Sequence, residues 1–379
     1  MDLSWTSEQL ETRDAALRFA RSELGSCCEE FSRERWRACA HFGVLGLPFP
    51  TAYGGAARDI FATVLTMEGL GAGCRNSGLL FALNAQMWSV QQPLLTLGTP
   101  TQKEKYLRRL IAGEIIGAHA MTEPESGSDA YGLRTTAERT SGGYLLSGSK
   151  TLITNAPEAD VAIVFATMNP KRGMWGVTAF LVDRETPGFH AGQPVRKMGL
   201  SGASMGEIRI ENCFVPEQNR LGGEGAGARV FESSMEWERS CILACQIGAM
   251  ERQLEECIRH ARERRQFGQP IGNFQSVSNR IVEMKVRLES ARLLLYHAAW
   301  KKHNGKNAVM EAAMVKLYLS EAFVASGLDA IRTFGGYGFL TESGIEQDLR
   351  DAVGGTMYSG TSDIQRNIIA RQLGLGGKP

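Results

Sequence analysis

The segment VFESSMEWERSCILACQIGAM carries a carboxylate in unusual company. With Glu238 as position i, helical same-face neighbours are Phe231, Ser234, Met235, Cys241, Ile242 and Cys245. An acid in so apolar a stripe loses hydration, and its pKa rises towards neutrality. That suits it to take a proton from a weakly acidic carbon next to a carbonyl. Periodicity alone fits a carboxylate paired with a buried arginine equally well, and leaves the choice open. Other segments offer polar groups to a ligand. In MTEPESGSD, residues 121–129, Thr122, Ser126 and Ser128 sit among Gly and Pro and present hydroxyls and backbone N–H groups to a polar heterocycle or phosphate. Thr154 ends the strand KTLIT before a loop, within reach of a ring edge, although a strand threonine is also ordinary β filler. RERRQFGQPIGNFQ, residues 262–275, clusters arginines whose planar forks suit a pyrophosphate, or which simply complement a helix C-terminus. RTFGGYGF places Gly335 and Gly336 where a backbone can approach a ligand closely. Further on, Thr361 and Ser362 open a helix whose N-terminus suits an anion.

The elements that must position these groups follow from period and breakers. From Ser7 to about Gly117 apolar residues recur at helical spacing, interrupted at PFPTAYGG and LGTPTQ. From about Ala118 to Leu221 the text changes to short β-branched runs, YLLSGSKTLIT, DVAIVFATM, GVTAFLVD and EIRIENCFV. After the link LGGEGAGA the helical period returns. One long helix is predicted from about Val230 to Arg264, with others around 275–303, 308–334 and 342–352. The expected class is α+β, with helical residues 1–117, a β domain at 118–221 and a helical bundle at 222–379.

Composition bounds the partners. The chain has 379 residues and is 43% hydrophobic, enough to bury a large core split into subdomains. Lys plus Arg number 42 against 41 Asp plus Glu, so no charge excess points to nucleic acid or an anionic membrane. No window approaches the roughly 20 apolar residues of a membrane span, and the first residues lack a secretory pattern, so a cytoplasmic location is expected. The eight cysteines, Cys27, Cys28, Cys39, Cys74, Cys213, Cys241, Cys245 and Cys257, show no metal-ligand spacing and read as buried free thiols in a reducing compartment.

Taken together and in order, TEPESGSD, the ITN end of its strand, RRQFGQPIGNFQ, the GGYGF turn, RDA and GTSDIQ resemble the acyl-CoA dehydrogenase family over essentially the whole length. The resemblance implies a helical N-terminal domain, a middle β-barrel-like domain and a C-terminal four-helix bundle, with FAD held between the last two and across an interface of a homotetramer. It assigns Met121, Thr122 and Thr154 to the flavin and Ser128 to the pyrophosphate, and also to the substrate side. Arg264, Phe267, Gln275, Gly335 and Gly336 would reach FAD in a neighbouring subunit, and Thr361 and Asp363 would sit against the dinucleotide. Most members carry their base just before the GTS turn, where this chain has Tyr358, Ser359 and Gly360. The branch that includes isovaleryl-CoA dehydrogenase places it instead in a pattern resembling Glu236-Trp237-Glu238-Arg239, which puts the base at Glu238. Glu236 lies about 200° around the helix, towards the carrier arm of a substrate or solvent; with Arg239 and Tyr358 it completes the expected substrate contacts. Leu152 stands where many members have an aromatic against the flavin.

The stretches SSMEWERSC, MERQLEECIRHARERRQFG and MYSGTSDIQRNIIARQLGL are similar to those of the prolyl-carrier-protein dehydrogenases within this family. That similarity implies oxidation of L-proline, held on the phosphopantetheine arm of an acyl or peptidyl carrier protein, to pyrrole-2-carboxyl in natural-product biosynthesis. Electrons would leave to electron-transfer flavoprotein or dioxygen. A short- or branched-chain acyl-CoA dehydrogenase, or a catalytically silent flavin-binding subunit suggested by Ser359, are the alternatives.

Overall fold

The computed structural model describes residues 5–25 and 30–375. Cys27 and Cys28 lie outside the described residues; the other six cysteines are buried and free.

The N-terminal part is helical: α1 (Ser7–Phe19), α2 (Arg33–His41), α3 (Ile60–Gly73), α4 (Ser77–Ala85), α5 (Gln92–Leu97), α6 (Pro100–Gln102) and α7 (Arg108–Ile111). Side chains that accept orphan N–H groups fix several starts: Thr6 with a reciprocal Gln9, Asp59, Asn76, and Thr99 with Gln102. The two predicted breaks are real. PFPTAYGG makes a 3-10 turn closed by Gly54 at φ 85°, and α5 stops at Leu97 before the Thr99 cap. Between α4 and α5 the helix widens into a π-helical turn, Gln86–Gln91, which bears on the site below.

Strands β1 (Gly117–Ala120), β2 (Thr136–Thr140), β3 (Gly143–Thr154), β4 (Val161–Thr167), β5 (Val177–Asp183), β6 (Phe189–Ala191), β7 (Met205–Pro216) and β8 (Arg220–Leu221) form one sheet ordered β6-β7-β3-β2-β4-β5-β8, with β1 parallel to β4. Period-two alternation sorts their side chains. Ala162, Val164, Phe180 and Val182 face the sheet's own core, while Ile163, Phe165, Ala179 and Leu181 pack into the helical core. Both faces of β4 are therefore covered, which is why it reads as an unbroken apolar run.

The remaining major helices are α8 (Gly227–Cys241), α9 (Ala244–Glu263), α10 (Gln275–His303), α11 (Val309–Phe334), α12 (Ile345–Gly355) and α13 (Ser362–Gln372). The single helix predicted from Val230 to Arg264 is corrected to two, separated by a turn at Ile242 and Leu243. The apolar stripe runs unbroken through that turn, so periodicity could not reveal it. α9 lies nearly against α3: a Cβ on Gly71 would sit 1.8 Å from the Cys245 carbonyl oxygen, and one on Gly248 1.9 Å from that of Glu68. The buried Glu68 carboxylate then ties three helices, accepting from Arg292 at 2.8 Å, Tyr296 at 2.6 Å and Arg13 at 3.3 Å. Among the described residues no helix is long and apolar enough to cross a membrane.

Candidate active site

A cleft of about 670 Å³ opens where α4, β1, the end of β3, α8, α12 and the start of α13 meet. Glu238 projects into it from α8 and is only 7% exposed. The Oε1 atom accepts a hydrogen bond from Ser359 Oγ at 2.7 Å, and Oε2 accepts one from Ser89 Oγ at 2.9 Å. Burial pushes this carboxyl above the ordinary range. The hydroxyls of Ser359 and Ser89, and the charges of Arg239 and Lys316, pull it back without cancelling the rise. The alternative left open by periodicity, a buried carboxylate–arginine pair, is not what forms: Arg239 Nε donates to the Ser359 carbonyl at 3.4 Å, and hydroxyls occupy the carboxylate.

Ser89 is a residue that the sequence reading missed. It sits on the π-helical turn, 149 positions from its partner, among apolar neighbours that give no spacing signal. Ser359 adopts a left-handed backbone at φ 57°, and its carbonyl is held by Gln365 at 3.1 Å. Tyr358 is locked between the Phe81 ring, centroids 4.4 Å apart, and the Gln246 amide, which donates to its hydroxyl at 3.0 Å.

The facing wall is the MTEPESGSD turn and the end of β3. Met121, Thr122, Ser128, Thr154 and Leu152 all line the cleft. A fully buried ammonium holds the turn in place. Lys150 Nζ donates to the Met121 carbonyl at 3.1 Å and to Glu123 at 2.8 Å, and Glu123 also accepts the N–H groups of Arg134 and Thr135. Burial alone would raise Glu123, yet Lys150 and these donors hold it below the usual carboxylate range. Lys150 itself is pulled down to about 8, chiefly by burial. The β3–β7 register shifts between Lys150 and Ile153, and Leu152 there takes φ 56°, leaving its side chain 59% exposed on the cleft wall. His119 on β1 also lines the cleft and was missed. Burial and then Lys150 draw it to about 4, so it is a neutral ring, 3.4 Å from Ser234 Oγ.

Thr361 caps α13 by accepting from Ile364 N at 3.2 Å, so that a helix N-terminus opens on the cleft. The floor of the 196–204 loop is fixed by the RDA motif, where buried Asp351 accepts the N–H of Leu200. Not every predicted residue converges. Glu236, expected towards a substrate arm or solvent, lies outside the cleft, half-exposed and paired with Lys302 at 2.8 Å, because the two-residue step turns it to the other side of α8. Asp363 is exposed and paired with Arg366. Arg264, Phe267, Gln275, Gly335 and Gly336, expected at the FAD of a neighbouring subunit, are exposed and do not line this chain's cleft. Arg264 stacks on Tyr337 at 5.6 Å, which brings the RRQFGQ hairpin beside the GGYGF turn.

Comparison with known proteins gives matches along nearly the whole chain. Family models described as acyl-CoA dehydrogenase N-terminal, middle and C-terminal domains match residues 6–114, 118–213 and 225–374. The chain belongs to the acyl-CoA dehydrogenase family. Among members of this family it is 44% identical to an L-prolyl-(peptidyl-carrier protein) dehydrogenase of Pseudomonas fluorescens, over 99% of this chain and 100% of that one. The crystal structure of the prolyl acyl carrier protein oxidase AnaB superposes with a TM-score of 0.97 at 49% identity, covering 98% of this chain and 100% of that chain. A structure of PigA with FAD and proline superposes at 0.95 with 42% identity, covering both chains completely.

Proposed function

We propose that this acyl-CoA dehydrogenase family member is an FAD-dependent enzyme that desaturates L-proline carried as a thioester on a peptidyl or acyl carrier protein, with Glu238 as the base. The observation that carries the reading is the Glu238 carboxylate, buried at the cleft and gripped on both oxygens by hydroxyls. The similarity to prolyl-carrier-protein dehydrogenases and to PigA with FAD and proline supports the substrate and cofactor.

The residues present fit FAD. Thr122, Ser128 and Thr154 offer hydroxyls along one wall, Leu152 an exposed apolar side chain, and the Thr361 helix start a site for a phosphate. When bound, FAD supplies the acceptor for the hydride leaving the β carbon. Across the cleft Glu238 takes the α proton of the prolyl thioester at a carboxylate oxygen, and its raised pKa brings it closer to the thioester's weak acidity. Ser89 and Ser359 fix its direction, and the apolar Met235, Phe231 and Leu152 keep water from competing. A second round on the ring removes two more hydrogens, for a total loss of four, giving pyrrole-2-carboxyl thioester; aromaticity drives that step. The electrons pass on to electron-transfer flavoprotein or dioxygen.

Exposed Arg196 on the cleft lining suits the phosphate of a phosphopantetheine arm. Phe267 at 92% and Phe339 at 83% exposure, with exposed Val282 and Val286 on α10, support burial of those surfaces in a homotetramer. The cytoplasm is the proposed location. Mixing the holoenzyme with prolyl-carrier protein, prolyl-CoA and isovaleryl-CoA tests the reading. Bleaching of the flavin band and a loss of four hydrogens from the carrier arm are expected with prolyl-carrier protein. Bleaching by isovaleryl-CoA alone contradicts the substrate, and bleaching by none contradicts the activity.

A further inference from the structure

Behind Tyr358 lies a charge that the mechanism above does not use. Lys316, in the middle of α11, is fully buried, and its Nζ has no hydrogen-bond partner among the described residues. It sits 5.8 Å from the centroid of the Tyr358 ring. The next residue, Ser359, donates to Glu238, so the cation packs against one residue of this turn and the carboxylate is held by the next. A buried ammonium without a partner is strongly disfavoured, and a methionine would fill the same space at no such cost. What offsets it here is the π face of Tyr358 and the field of a carboxylate acting through surroundings that screen little.

The charges facing this group leave Glu238 as the buried counter-charge. Lys316 feels Glu238 and Glu321, which raise its pKa, and Arg239, which lowers it. Glu321, on the same helix, is half-exposed and engaged with Arg366 at 2.6 Å. Tyr358 feels Cys245, Glu238 and Asp351, and is held neutral by burial. Burial pulls Lys316 down to about 8, which leaves it mostly protonated at neutral pH.

We propose that Lys316 is a positioning residue whose buried positive charge, seated behind the Tyr358 ring, holds Glu238 in its ionised form and anchors the Tyr358–Ser359 turn that clamps it. The inference rests on Glu238 being the base, and the experiment separates the two. The pH dependence of single-turnover flavin reduction by prolyl-carrier protein is measured for the wild-type holoenzyme, Lys316→Met, Lys316→Gln and Glu238→Gln. In parallel, infrared spectra follow the protonated-carboxyl band that disappears in Glu238→Gln. Removing this buried unit charge is expected to move both midpoints upward by about one unit. Reduction then slows about tenfold on the acidic limb, and the alkaline plateau changes less. Midpoints that stay put in both Lys316 variants overturn the proposal while leaving Glu238 as base. Undiminished reduction in Glu238→Gln removes the base, and the proposal with it. The infrared midpoint does not depend on turnover, so a variant that merely loosens the fold is told apart from one that loses the charge effect.

Discussion

Replacing Lys150 with methionine tests how the cleft-lining turn at residues 121–129 is held. The ammonium is fully buried and bonds both the Met121 carbonyl and Glu123, whose carboxylate in turn accepts the Arg134 and Thr135 N–H groups. Methionine keeps the volume but leaves Glu123 as a buried charge without its counter-ion, a change worth about 3–5 kcal/mol. Since about 1.4 kcal/mol is a factor of ten in an equilibrium constant, the local opening that frees these amides should become about 100- to 4,000-fold more frequent. Hydrogen exchange of the peptide spanning residues 130–136 reads this directly. Weaker FAD retention should accompany it, because Thr122 and Ser128 ride on the same turn. Unchanged protection at Arg134 and Thr135 would refute the assignment of Lys150 as the post of this turn.

Ser359→Ala removes a charge-assisted donor to Glu238 worth roughly 1.5–3 kcal/mol; the acidic limb of flavin reduction should move to higher pH with the alkaline plateau retained, as stopped-flow profiles will record. Gly248→Ala must push α9 off α3, since its Cβ would meet the Glu68 carbonyl oxygen at 1.9 Å; a thermal melt should show destabilisation by about 1–3 kcal/mol or more, and an unchanged melt would mean the helices are not so close. Asp351 is raised by burial from 3.8 to about 7, so the folded state favours its protonated form. The stability this contributes is complete below pH 3.8 and lost as pH rises through about 7. Asp351→Asn, which keeps an acceptor for Leu200, should therefore gain on the wild type progressively across that window, measured as the difference between their melting temperatures at each pH; a constant difference contradicts the shift.

Much of this architecture is legible from residues alone because single interactions are local. The unbroken apolar, β-branched run in DVAIVFATM sets β4, and Thr99 with Gln102 announces a helix start through atoms three residues apart. The cleft is less legible, since it is made by contacts across the chain. Glu238 stands out by its apolar neighbours, but Ser89 comes from a π-helical turn 149 residues earlier, and Lys150 meets Glu123 through the pleat of one strand and the turn before β2. The break after Cys241 left no trace because the buried stripe continues on its far side. Glu236 shows the converse: it shares a motif with Glu238, yet the helix carries it out to Lys302.

The most direct measurement is the rate of flavin reduction by prolyl-carrier protein in Glu238→Gln, under single-turnover conditions with FAD content checked by absorbance. The amide retains the shape, accepts from one serine and donates to the other, but has no capacity to take the α proton. FAD should remain bound while reduction slows by about 100- to 10,000-fold. Reduction at the wild-type rate would show that the proton leaves by another route.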